Sequence, residues 1–305
     1  MACDNQRWRA AAEAQDGVLT QAQALRSGLS RSDIWVRQRR GEWRRLLRGA
    51  FLIDAELYQE VPDRAWIRAA ALTVPDGAVS GRSAAALLGL GGLDLTPGPV
   101  EIALPSGWPV VAQPGLSIRQ VAVRPEHVTA VDGMRVTSPP WTVGDLLLRL
   151  HRYEGVSMLD AALHDGHLTE ADLAGFEALL AHRPGVLAAR TRLAECDGRA
   201  ESPLETRVRL ICCDGGVPPD TLQQPVVDHW GTVLGYGDLA WTGGRLIAEA
   251  DGRYAHDSVP AAYRDRERAN DFRGSGWTIV RFTWDDTRRP RYIVSVVRRA
   301  LAVAA

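Results

Sequence analysis

The stretch "GDLAWTGGRLIAEADG", residues 237–252, places Asp238, Glu249 and Asp251 among Leu239, Trp241, Leu246, Ile247 and Ala248. The residue types and the central "TGG" read as two strands joined by a tight turn. On such a hairpin Glu249 and Asp251 share one face, about 6.5 Å apart along the strand, and Asp238 lies on the neighbouring strand. Buried carboxylates this close cannot all stay ionised without a counter-charge. A hard divalent cation is one solution: Mg²⁺ (or Mn²⁺) held by these carboxylates would keep bound waters. It would polarise a phosphoryl group and lower the pKa of a bound water. The other solution is a solvated acidic face paired with arginines such as Arg245, Arg253 or Arg268.

Stepping outward along the chain, "SPLETRVRLICCDGG" predicts a helix capped by Ser202, with Pro203 in its first turn and Gly215 near its end. That helix brings Glu205 toward the same end of the sheet. "TLQQPVVDHWG", "TVLGYGDLAW" and "RLIAEADG" predict three strands. A polar helix over "PAAYRDRERANDFRGSG", a strand at "WTIVRFTW" and a final helix at "RYIVSVVRRALAV" follow. The predicted order over 199–305 is α-β-β-β-α-β, closed by that helix.

The first 55 residues predict short helices and a basic hairpin. Thr20 caps one helix. Ser30 caps the next, with Asp33 at its third position, and that helix runs to Gly41. Ile34 and Trp35 are expected to face inward, and Trp43, Leu46, Leu47, Phe51 and Ile53 to anchor the hairpin. Between Arg26 and Arg48 there are eight arginines against Asp33 and Glu42. Helix, turn, helix and basic hairpin is the pattern of a winged helix-turn-helix, in which one helix enters the major groove and the wing grips the backbone. Arg31, Arg37, Gln38, Arg39, Arg40, Arg44, Arg45 and Arg48 are the candidate DNA-binding residues. A solvated helical cap docked on the rest of the protein is the competing reading.

Residues 56–150 predict a middle α/β segment. "RAWIRAAALTV" and "SGRSAAALLGL" have helical spacing, while "PVEIALP" and "GLSIRQVAV" alternate like strands. Arg82 and Asp145 are expected at a cap or on the surface. Residues 151–198 predict a helical linker. The expected fold class is therefore α/β and multi-domain.

Two resemblances sharpen these expectations. "EADGRYAH", "YRDRERAND" and "GSGWTIVRFTW" resemble the very-short-patch-repair-like branch of the PD-(D/E)xK, restriction-endonuclease-like fold, over residues 200–303. The resemblance implies that Asp238 and Glu249 bind the metal, with Asp251 where many relatives carry lysine. Glu205 matches the acidic helix residue, and Gln223 the polar residue at the start of the first core strand. Arg264 and Arg268, four apart on one helical face, would clamp the scissile phosphate or pair with Asp265 or Asp271. All 36 basic residues of the chain are arginine. Arginine does not deprotonate in proteins and cannot replace lysine as a base. The segment from residue 5 to 150 resembles AbiEi-type antitoxins, transcriptional repressors of toxin–antitoxin systems. "SGRSAAALLGL" and "VTSPPWTVGDLL" carry this likeness, with Trp141 in place of the usual charged residue.

A formal net charge of −1, 46% hydrophobic residues and no apolar run near membrane-spanning length predict a water-soluble protein. The start has no secretory-signal pattern, and four cysteines without metal-ligand spacing fit a reducing cytoplasm. Expected partners are DNA, a toxin or a second copy of the chain, and no membrane. Two functions follow, and RNA is a third, weaker possibility as the target. One is a Mg²⁺-dependent DNA endonuclease targeted by its winged helix. The other is an antitoxin-like regulator whose nuclease-like domain is inactive.

Overall fold

The computed structural model describes residues 4–110, 112–252 and 271–304, and is mixed α/β with three sheets. It divides into two units, 1–90 with 94–146 and 91–93 with 147–305. The helices of 151–198, expected as a linker, thus belong to the second unit, while the first 55 residues and the middle segment form one unit.

In the first unit, α1 (Asp4–Glu13), β1 (Val18–Thr20), α2 (Gln21–Arg26) and α3 (Arg31–Arg39) lead into the hairpin β2 (Arg44–Leu47) and β3 (Ala50–Leu52). Both short helices start as their caps dictate. Thr20 and Ser30 accept from the backbone N–H of Gln23 and Asp33, whose side chains accept in return. Helix α3 stops at Arg39, two residues before Gly41. A register shift between Arg45 and Leu47 turns Leu46 and Leu47 both inward. Gly49, with φ +80°, makes the tight turn. The strands pair as β1-β3-β2. Trp8, Ala24, Ile34, Trp43, Phe51 and Ile53 form the core of this part.

The middle segment is a five-stranded sheet in the order β6-β5-β4-β8-β7. Its strands are β4 (Ala78–Val79), β5 (Val100–Leu104), β6 (Leu116–Gln120), β7 (Val128–Val131) and β8 (Met134–Thr137). Helices α4 (Asp63–Thr73), α5 (Gly81–Leu88) and α6 (Pro139–Leu147) accompany them. One core joins both parts, because Leu47, Ala50 and Leu52 pack in the same cluster as Ile67, Ala70, Val79 and Ile102. Asp16 bridges Arg64 and Arg68, each at 2.7 Å. Burial acts to raise the Asp16 pKa, but the hydrogen bonds and charges of the two guanidinium groups outweigh it and hold the carboxyl low. Asp145 is not at the surface: it is fully buried and paired with Arg119.

The second unit holds α7 (Arg152–His164), α8 (Glu170–Leu180), α9 (Val186–Glu195), α10 (Pro203–Asp214) and a four-stranded sheet. Its strands are β9 (Thr221–Val227), β10 (Val233–Trp241), β11 (Leu246–Ala250) and β12 (Thr278–Phe282), in the order β12-β11-β10-β9. Only β11 and β12 are parallel. The final helix, α11 (Pro290–Ala304), packs with α10 on one face, where Leu204, Val208, Leu239, Trp241, Phe282 and Val297 form a core. Val226, Ala240, Ile247 and Phe272 cluster on the other face. Arg253 and most of the expected polar helix, including Arg264, Asp265 and Arg268, lie outside the described residues. Cys212 is buried and its neighbour Cys213 exposed. Burial pushes the Cys196 thiol up to about 11 and that of Cys212 to about 12, so neither is a ready nucleophile.

Candidate functional site

Helix α3 and the β2–β3 turn enclose a cleft of about 590 Å³ in the first unit, lined by Gln21, Arg31, Ile34, Trp35, Gln38, Arg45, Arg48, Gly49 and Phe51. Its floor is apolar because Ile34 and Phe51 belong to the core beneath. Its rim is cationic. The capping box of Ser30 fixes where α3 begins, which sets the direction in which Arg31 leaves the helix. The backbone N–H of Gln21 donates to Gly49 O at 2.8 Å, tying the start of α2 to the hairpin turn. The Arg48 N–H donates to Gln113 Oε1, also at 2.8 Å.

The eight expected DNA-binding residues separate into three groups. Arg31, Gln38, Arg45 and Arg48 line the cleft. Arg39, Arg40 and Arg44 are exposed beside it, Arg40 within 3.7 Å of Glu42. Arg37 instead turns inward. Its guanidinium lies over the rings of Trp8 and Trp43, 5.6 and 6.0 Å from their centroids, and it donates to Asp33 O. Trp35 is the reverse case: expected inside, it is 59% exposed and lines the cleft, with the Arg39 guanidinium 5.4 Å from its ring centroid. The missed signal is the spacing 31, 35, 38, which on a helix defines one face. Because Ile34 takes the inward direction, the next residue must point about 100° away.

The carboxylates of the second unit follow the sheet register. Gly237 pairs with Gln224 and Leu239 with Leu222, so Asp238 and Gln223 stand opposite each other. Leu239 pairs with Ala248, which puts Glu249 one step further on, beside Asp238. Glu249 in turn pairs with Arg281 across the parallel ladder. Gln223, Asp238, Glu249 and Arg281 thus form one row over four strands. Glu249 is buried, and its Oε2 lies 3.1 Å from Arg281 Nε. Asp238 Oδ2 accepts from the Ala250 N–H at 2.8 Å. Asp251 follows the end of β11, and its own N–H donates to Phe282 O. Glu205 caps α10: it accepts from the Ser202 hydroxyl, the Glu201 N–H and, at 3.0 Å, Gln223 Nε2. Burial pushes the Glu205 carboxyl above the ordinary glutamate range, against those three bonds. The counter-charge demanded by the buried Glu249 is therefore a guanidinium. Among the described residues no group of three or more His, Cys, Asp or Glu is arranged to hold a metal ion. A Mg²⁺ ion held by Asp238 and Glu249 would have to share Glu249 with Arg281 and Asp238 with the Ala250 N–H.

Residues 77–196 match the AbiEi antitoxin C-terminal domain family. The match begins later than the AbiEi-like segment expected from the sequence and extends through α7, α8 and α9. It ends before the segment with the nuclease resemblance. Two Mycobacterium tuberculosis proteins, the uncharacterized protein Rv2248 of strain H37Rv and the uncharacterized protein MT2308 of strain CDC 1551, are each 35% identical over 176 residues. The aligned part is 57% of this chain and spans 64% of the length of each relative. The crystal structure of the RV2827C protein from Mycobacterium tuberculosis aligns with 74% of this chain and 84% of its own, at 17% identity and a TM-score of 0.44. No helix among the described residues is long and apolar enough to cross a membrane.

Proposed function

We propose that this protein is an AbiEi-like, DNA-binding regulator of the antitoxin type, with α2, α3 and the β2–β3 hairpin acting as a winged helix-turn-helix. The cleft lined by Arg31, Gln38, Arg45 and Arg48 carries the reading. Phosphates are met by guanidinium groups and base edges by one face of a helix, and Arg31, Gln38, Arg45 and Arg48 supply groups of both kinds. The AbiEi match supports a regulatory role and makes a toxin a candidate partner. A second copy of the chain is another, since a dimer would read two half-sites. In this reading the protein works in the cytoplasm, where its DNA is. The test is selection of duplexes from a randomised pool, followed by fluorescence anisotropy on the winners. The expected result is sequence-selective binding with a Kd at or below about 10 nM at physiological salt. Failure to enrich any sequence would overturn it.

The row across the second sheet favours a second reading, Mg²⁺-dependent DNA hydrolysis. There Asp238 and Glu249 would be the metal ligands, and Asp251, Glu205, Gln223 and Arg268 the surrounding polar groups. Plasmid nicking with Mg²⁺ or Mn²⁺, abolished by Asp238→Ala, would establish it. Supercoiled plasmid left intact with either metal would leave the regulator alone. The Arg281–Glu249 pair supports that second outcome.

A further inference from the structure

We infer that Trp35 is a specificity-determining residue that reads thymine through its 5-methyl group, flanked by a guanine contact from Arg31 and an adenine contact from Gln38. The inference rests on the DNA-binding reading above and goes beyond it by naming the base and the side chain. Arg31, Trp35 and Gln38 are spaced i, i+4, i+7 and all line the cleft. Seven residues of helix advance about 10.5 Å, and successive bases on one strand are about 3.4 Å apart. The three side chains therefore span roughly three base-pair steps.

Each has a different chemistry. A guanidinium donates two hydrogen bonds to guanine O6 and N7, a carboxamide bonds in two places to adenine, and an apolar group packs on the thymine methyl. An indole left 59% exposed beside these two groups is apolar surface facing water in the free protein. It also has a neighbour on its own helix. The Arg39 guanidinium sits over the ring at 5.4 Å, an arrangement that restricts the side chain before any DNA arrives. The ring borders a cleft whose floor, Ile34 and Phe51, is apolar and almost wholly buried. A methyl group entering there loses its water contacts on several sides.

The experiment uses the full-length protein and a duplex selected by it. Each thymine is replaced singly by deoxyuridine, which removes the methyl and keeps Watson–Crick pairing. For the wild type we expect one thymine per half-site whose replacement weakens binding about fourfold. In Trp35→Ala the same replacement should have no effect, while binding of the thymine duplex falls to the level of the wild type on uracil or below. Trp35→Gln serves as a second variant. Because the residue is exposed, both variants should melt like the wild type. Wild-type binding that ignores deoxyuridine at every position overturns the inference and leaves the DNA-binding reading standing. Unchanged thymine preference in Trp35→Ala also overturns it. Tighter binding to single strands than to any duplex would assign Trp35 to base stacking instead. Failure to bind any duplex removes the inference and the reading together.

Discussion

Asp160→Ala is expected to destabilise the C-terminal unit by about 3–5 kcal/mol, the range for stripping a buried cation of its partner. Asp160 on α7 is 1% exposed, and three donors converge on it, each at 2.7 Å: Arg209 Nη2, the Thr206 hydroxyl and the Asp197 N–H. The carboxylate thereby joins α7 to α10 and to the segment after α9. Arg209 also donates to Glu195 O and is itself buried. Alanine would leave its guanidinium charged and uncompensated, because arginine cannot neutralise itself. A loss of this size is a large part of the 5–15 kcal/mol that holds a typical domain together. Urea unfolding followed by circular dichroism measures it. The double variant Asp160→Leu with Arg209→Met should recover part of the loss, since it removes the buried charge but leaves the Thr206 hydroxyl and the Asp197 N–H without this acceptor. A single variant within about 0.5 kcal/mol of the wild type, the range of an ordinary surface change, would mean that the network contributes nothing.

The second large effect concerns the cleft. Replacing Arg31, Arg45 and Arg48 together with alanine should lower affinity for the selected duplex at least about 100-fold at physiological salt. It should also reduce the slope of log K against log salt by about 1.8, two phosphate contacts from Arg45 and Arg48 at about 0.9 each, while the loss of Arg31 removes the guanine contact. All three are surface side chains, so the fold should persist. Arg37→Ala should behave differently. Its guanidinium packs over Trp8 and Trp43, so its loss should appear in thermal stability before it appears in the salt slope. If the triple variant kept the wild-type slope, the phosphates would be gripped elsewhere.

What could be read from the sequence was the local chemistry. Ser30 with Asp33 and Ser202 with Glu205 announce helix starts because a cap is settled within four residues. The adjacent cysteines of α10 point apart as a helix requires. The "TGG" hairpin placed Asp238 and Glu249 on adjoining strands for the same reason. What depends on distant pairing was not legible. Nothing near Glu249 shows that Arg281, 32 positions away in sequence, becomes its neighbour, because that follows from the parallel β11–β12 ladder. The short strand β4 sits at the centre of its sheet only because β5 and β8 flank it. The hydrophobicity of Trp35 points to the interior, but its position one residue after the buried Ile34 excludes that on a single-faced helix.

The central claim, that DNA is held by α3 and the β2–β3 hairpin, is tested most directly by hydrogen–deuterium exchange with and without the selected duplex. Protection concentrated in residues 31–52, with little change across 221–250, is the predicted result. Protection confined to the second sheet, around Gln223, Asp238 and Glu249, with an unchanged α3, would contradict it.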